Sequence, residues 1–359
     1  MKKFFKYFFL SIAILLFLIA CIFLLIKKLD NNALEEKGFN VTAYDQSEAK
    51  LLPSLFLNGE RFYLKMQIIN GDTALAYCDT GGGICMIPSD VINKIQMQSK
   101  MKYGLLKGLM PIKYIPFRDL VKDKNIPPPL QLRDKILRRP ISRISDPFVM
   151  IPPEDEELKF MLKNMPFDIF LGQNFFMGKA WTFDYLHRQI WVNTPIRPSD
   201  INSPGVQKLG FKKNNNQEMI FGHPSMVIEV NGLAIDVLFD SGATLVLSGE
   251  GKREFNTIEN TKAASYIASS IFKKWRKEHP DWKYYKGADY RNDVIEVPIV
   301  KISGQEVGPV LFAERPDEVW SEGMINTMDK IVKGAIGGSA LKYLKVTIDY
   351  NSELIKFEK

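Results

Sequence analysis

Residues 171–192 and 336–357 of this 359-residue chain align end to end without a gap. Both copies open on an apolar residue and a glycine, Leu171-Gly172 and Ile336-Gly337. Both continue to a matching core, Trp181-Thr182-Phe183-Asp184-Tyr185 and Val346-Thr347-Ile348-Asp349-Tyr350. Both close on an apolar run, Gln189 to Val192 and Leu354 to Phe357. Self-similarity over one long spacing means two copies of one folding unit. A unit of roughly 150 residues is an ordinary domain size.

A second landmark recurs upstream. Cys78-Asp79-Thr80-Gly81 stands 93 residues before Gly172, and Phe239-Asp240-Ser241-Gly242 stands 97 before Gly337, counting from each aspartate. Each aspartate follows an apolar strand-like stretch and lies nine residues beyond an Asn-Gly pair, Asn70-Gly71 or Asn231-Gly232. The duplication therefore sets two carboxyl groups at equivalent points of two equivalent hairpins. Two carboxyls brought together share one proton, because like charges at contact cannot both ionise. That pairing suits hydrolysis of an amide by an activated water. A metal site or a histidine-based triad lacks support, since His187, His223 and His279 are isolated in the sequence. No phosphate-cradling glycine loop precedes a helix.

From Asp-Thr/Ser-Gly, an apolar pair with Gly, and a closing strand, all twice, the chain resembles the pepsin-like aspartic peptidases, in the clan that includes the retroviral proteases. The resemblance covers about residues 55 to 359. It implies a mainly β, two-lobed fold with pseudo-twofold symmetry and a few short helices. It implies an aspartic endopeptidase acting on peptide or protein substrates as a monomer, without cofactor or metal. Asp79 and Asp240 would be catalytic, and Thr80, Gly81, Ser241 and Gly242 would support the loops, with the two hydroxyls cross-linking them. A catalytically inactive relative serving as a peptide-binding module at the cell envelope would keep the same fold; a structural or envelope-tethering protein would rest on the anchor and stalk alone. Two departures stand out. Family members carry a hydroxyl residue just after the motif glycine, where this chain has Gly82 and Ala243. Loss of that hydroxyl should shift the working pH upward, towards mildly acidic or neutral. The flap tyrosine is not singled out; Tyr103 and Tyr114 are the candidates.

Charge and hydropathy bound the rest. The net charge of +7 resides mainly in residues 1–28, which hold five lysines and no acid. The remainder carries 43 basic against 41 acidic residues, which argues against a nucleic-acid binder. A basic, proline-rich stretch around Arg133 to Arg143 suits a solvated loop. Tyr7 to Ile26 is an uncharged run of twenty residues, long enough to form a transmembrane helix. More positive charge before it than after places the N-terminus in the cytoplasm and the body on the exported side. Leu18-Ile19-Ala20-Cys21 also fits a lipoprotein cleavage box, so lipidation at Cys21 stays open beside an uncleaved anchor. Three cysteines make no disulfide scaffold, and Cys78 and Cys85 suit small buried positions or a bridge.

The expected organisation is an anchor over 1–28, a stalk over 29–50, a first lobe over 51–195, a linker over 196–216 and a second lobe over 217–359. The stalk is short for an inhibitory propeptide, so activity is expected without processing. Hairpins are expected over Phe62–Ile69 with Ala74–Cys78, Ser225–Val230 with Ala234–Phe239, and Ile295–Ile302 with Val307–Phe312. Helices are expected over Ser89–Gln96, with Ser89 as cap, and over Glu154–Asn164. A third is expected over Thr261–Lys277, with Ala264, Ile267, Ala268, Ile271 and Trp275 on one face.

Overall fold

The computed structural model describes residues 14–25, 48–57, 61–106, 110–130, 147–165, 167–290 and 292–359. The expected stalk and the basic stretch at 133–143 lie almost wholly or wholly outside these. Residues 14–25 form a helix with every side chain exposed. Among the described residues no helix is long and apolar enough to cross a membrane, and both ends of the Tyr7–Ile26 run lie outside them.

The chain is mainly β, with several sheets. In the first half, strands Ser54–Leu57, Arg61–Gln67, Thr73–Cys78 and Ile169–Leu171 lie side by side in that order. The last two run parallel, with Cys78 opposite Leu171. In the second half, strands Ser225–Val230, Leu233–Phe239 and Gly334–Ile336 repeat the arrangement, with Phe239 opposite Ile336. Asn231 and Gly232 both have positive φ, as a two-residue hairpin turn of the type favoured by Asn-Gly requires.

The duplicated closing strands meet each other. Ala180–Asp184 pairs antiparallel with Lys345–Asp349, and Thr182 lies opposite its own repeat counterpart, Thr347. The pairing is therefore symmetric about that pair, whose hydroxyls hydrogen-bond at 2.8 Å. These strands sit at the centre of a six-stranded sheet. Strand Val206–Lys208, from the segment expected as a linker, forms one edge of it. Buried side chains from both halves, among them Phe183, Trp181, Val346, Ile348 and Phe239, belong to one continuous core. Apolar burial of this kind is the main favourable term in folding.

The expected hairpins form, with boundaries moved by up to three residues; the third is interrupted, its outer strands Asn292–Val297 and Val310–Arg315 and its inner strands Val300–Ile302 and Gln305–Val307 pairing separately. Helix Glu156–Asn164 forms and is capped by Asp155, whose carboxylate accepts from the Leu158 amide. Two expectations need correction. Ser89 begins its helix but does not cap it; its hydroxyl donates to Glu154 at 2.5 Å instead. The segment Thr261–Lys277 is not one helix. Thr261–Ala263 and Ser265–Ala268 are strands, and the helix spans only Ser269–Glu278. Strand Ser265–Ala268 lies between Val310–Arg315 and Gly334–Ile336, so two neighbours distant in sequence outweigh its helical spacing. Buried Phe272 and Trp275 anchor the shorter helix, and Arg276 and Lys277 sit in its last turn.

Candidate active site

Both Asp-Thr/Ser-Gly turns leave their strands in the same way. The Asp79 amide donates to Leu171 O at 3.0 Å, and the Asp240 amide to Ile336 O at 2.9 Å. The Gly82 and Ala243 amides turn back to Asp79 O and Asp240 O, each at 3.3 Å. Gly172 and Gly337 sit behind the loops, where backbone carbonyls come too close for any Cβ.

Four buried hydrogen bonds lock one turn to the other. Thr80 Oγ1 accepts from the Ser241 amide at 2.9 Å and donates to Phe239 O at 3.1 Å. Ser241 Oγ accepts from the Thr80 amide at 3.1 Å and donates to Cys78 O at 3.0 Å. Each hydroxyl thus spans to the opposite loop's backbone and satisfies both a donor and an acceptor there. The glycines then allow crossing contact. A Cβ on Gly81 would strike the Asp240 carboxyl, and one on Gly242 would strike the Asp79 carboxyl. All six sequence-selected residues, Asp79, Thr80, Gly81, Asp240, Ser241 and Gly242, meet at one point.

The two carboxyls interact directly, by charge and by hydrogen bond. Burial raises the pKa of both above the usual carboxylate range. Asp79 is raised further by the Asp240 charge and by its bond to Asp240, and is held back by backbone N–H groups of Gly82 and Gly81. Asp240 is held back by its bond to Asp79 and by backbone N–H groups of Gly242, Gly81 and Ala243; the Gly242 bond is 2.9 Å. Asp79 Oδ1 is buried and has no hydrogen-bond partner among the described residues. Burial and mutual repulsion therefore favour a pair that retains one proton between them.

Gly82, directly after Gly81, has no room for a side chain. A Cβ at Gly82 would run into the Phe170 ring and approach Asp79 Cγ to 3.1 Å. No side chain fits there while Phe170 holds its place.

Residues not selected from the sequence support the loops. Tyr77 Oη donates to Gly242 O at 2.6 Å, and Thr244 Oγ1 donates to the same carbonyl at 2.8 Å. Buried Arg61 donates to Thr244 Oγ1 at 3.0 Å and to Thr261 Oγ1 at 2.7 Å, tying the first half to the second. On the other loop, buried His223 reaches Gly82 O through Nε2 at 3.1 Å and Thr327 Oγ1 through Nδ1 at 2.8 Å. A carbonyl only accepts, so Nε2 carries a proton. Burial lowers the pKa of His223 and favours the neutral ring. The only signals for these residues were an arginine and a tyrosine within apolar strands, and a histidine beside Pro224.

The remaining candidates lie elsewhere. Tyr103 is exposed on the hairpin of strands Lys102–Leu106 and Met110–Pro116, with Lys113 over its ring. Tyr114 is buried against Phe148. Neither is placed against the aspartates by a hydrogen bond. His187 pairs with Asp184 and His279 stacks on Trp282. Cys78 and Cys85 are both buried free thiols, so the bridge does not form. No cluster suited to a metal ion occurs among the described residues. Comparison of the chain with protein-family models and with curated proteins gives no match.

Proposed function

We propose that this chain is an aspartic endopeptidase of the pepsin-like, two-lobed type, anchored to a membrane by its N-terminal apolar run with the body exported. The observation that carries this reading is the four-bond cross-link between two Asp-Thr/Ser-Gly turns, with the carboxyls in contact above it. The symmetric pairing about Thr182 and Thr347 supports a pseudo-twofold relation between the lobes.

In this reading a water lies between the two carboxyls. Ionised Asp240 takes its proton while the oxygen attacks the substrate carbonyl carbon. Protonated Asp79 gives a hydrogen bond, then its proton, to the carbonyl oxygen. The tetrahedral intermediate collapses as a proton passes to the amide nitrogen, the C–N bond breaks, and the dyad returns to sharing one proton. No covalent intermediate is required. This is the split-titration logic known for aspartic-protease dyads, and its two apparent pKa values belong to the pair.

The test is turnover of casein or a peptide library by residues 30–359, with and without a statine-type inhibitor, beside Asp79→Asn and Asp240→Asn. Inhibitor-sensitive cleavage that both variants lose is expected. Capture of peptides without turnover by the parent protein would instead indicate a binding module.

A further inference from the structure

A cavity of about 790 Å³ opens beside Thr244, four residues past Asp240, and is walled by both halves of the chain. The first half contributes Glu156, Lys159, Phe160 and Lys163, which form one face of helix Glu156–Asn164. The second half contributes Tyr290 and the Arg315–Asp289 pair. The Phe160 and Tyr290 rings meet at 5.0 Å and bridge the halves, and Tyr290 remains 57% exposed. Thr244 connects this cavity to the dyad, because its hydroxyl donates to the carbonyl of Gly242, the residue beneath Asp79.

The charges do not cancel. The Asp289 carboxylate is fully engaged: Arg315 pairs with it at 2.8 Å, and the amides of Val246 and Tyr290 donate to it at 3.0 and 3.1 Å. Glu156 pairs with Lys159 at 2.9 Å. Lys163 is exposed and forms no ion pair among the described residues. Both acids of the cavity are thus neutralised from within, and one ammonium is left over beside an aromatic platform.

We infer that this cavity is a substrate subsite selective for an acidic side chain, glutamate or aspartate, a few residues from the cleaved bond. Lys163 receives the carboxylate, and the ring faces of Phe160 and Tyr290 carry the methylenes. The inference rests on the peptidase reading and adds its specificity.

The test uses the full-length protein in detergent and a set of peptides with one neutral core. Glu, Gln or Lys is placed in turn at each position flanking the cut. At one position kcat/KM should run Glu over Gln over Lys, with about two- to fivefold between Glu and Gln, the range open to an exposed ion pair. The preference should shrink with added salt. Lys163→Met should remove it, and Lys163→Glu should invert it. Equal rates for Glu, Gln and Lys at every position, with the neutral core still cleaved, would overturn the subsite but not the peptidase. So would a Glu preference that persists in Lys163→Glu. If no peptide is cleaved, the peptidase reading fails, and anisotropy of a labelled Glu-bearing peptide decides the cavity separately. Binding weakened by Lys163→Glu upholds it, and equal binding or none rejects it. Circular dichroism melting checks that the variants stay folded, as expected for an exposed position.

Discussion

Thr80→Val removes one hydroxyl and keeps the side-chain shape. In the folded protein this leaves the Ser241 amide and Phe239 O without their partners at 2.9 and 3.1 Å. Both groups are buried where the two halves meet. Each unsatisfied buried group costs about 1–3 kcal/mol, so the variant should lose roughly 2–6 kcal/mol. Thr80→Ser keeps the hydroxyl and should lose only about 1 kcal/mol, the contribution of one buried methyl. Urea unfolding followed by circular dichroism measures the difference, with the midpoint falling and the slope unchanged. Activity should fall as well, on the order of 100-fold for a displacement of a reacting group by about 1 Å. A Thr80→Val protein within about 0.5 kcal/mol of the parent, or one less stable than the parent by no more than Thr80→Ser is, would refute the cross-link as the device that holds the turns together.

Three further outcomes are expected. Asp79 has a raised folded pKa, so the native state binds the extra proton and stability is lost as pH rises through that pKa. Asp79→Asn should therefore be the more stable protein at pH 7, with the gap closing below about pH 4; melting temperature against pH measures this, and an Asn variant that is less stable at pH 7 contradicts it. His223 has a lowered folded pKa, so its contribution is complete above about pH 6.5 and is lost as pH falls through the folded value. His223→Gln, which can still donate to Gly82 O, should flatten the stability slope in that window, and an unchanged slope would remove His223 as its source. Tyr77→Phe deletes the 2.6 Å bond to Gly242 O and should cost about 0.5–1.5 kcal/mol while lowering kcat more than it changes KM; steady-state kinetics and unfolding together check it.

What was legible in the sequence was what depends on neighbours along the chain. The hairpins around Asn70-Gly71 and Asn231-Gly232 follow from alternating apolar residues and turn chemistry. The equivalence of Asp79 and Asp240 follows from the repeat, and the geometry brings those residues together. Thr261–Ala268 was misjudged because Ala264, Ile267 and Ala268 suit a helical face as well as a buried strand. Its two partner strands come from residues 310–315 and 334–336, which local pattern cannot anticipate. Arg61 and His223 were invisible for the same reason. Arg61 meets partners 183 and 200 residues away, and His223 meets Gly82 across 141. A charged or titratable side chain inside an apolar run signals that a distant partner exists, not which one.

The symmetric seam at Thr182 and Thr347 has a consequence for how the proton is held. Two identical chains joined along such an axis would present each carboxyl with the same surroundings, and neither could be the standing acid. Here one polypeptide carries both copies, so they are free to diverge. A phenol braces one turn and an imidazole the other, and one oxygen of Asp79 stays without a hydrogen-bond partner among the described residues. Covalent continuity lets a nearly symmetric cradle acquire two unlike halves, so that each carboxyl meets surroundings of its own.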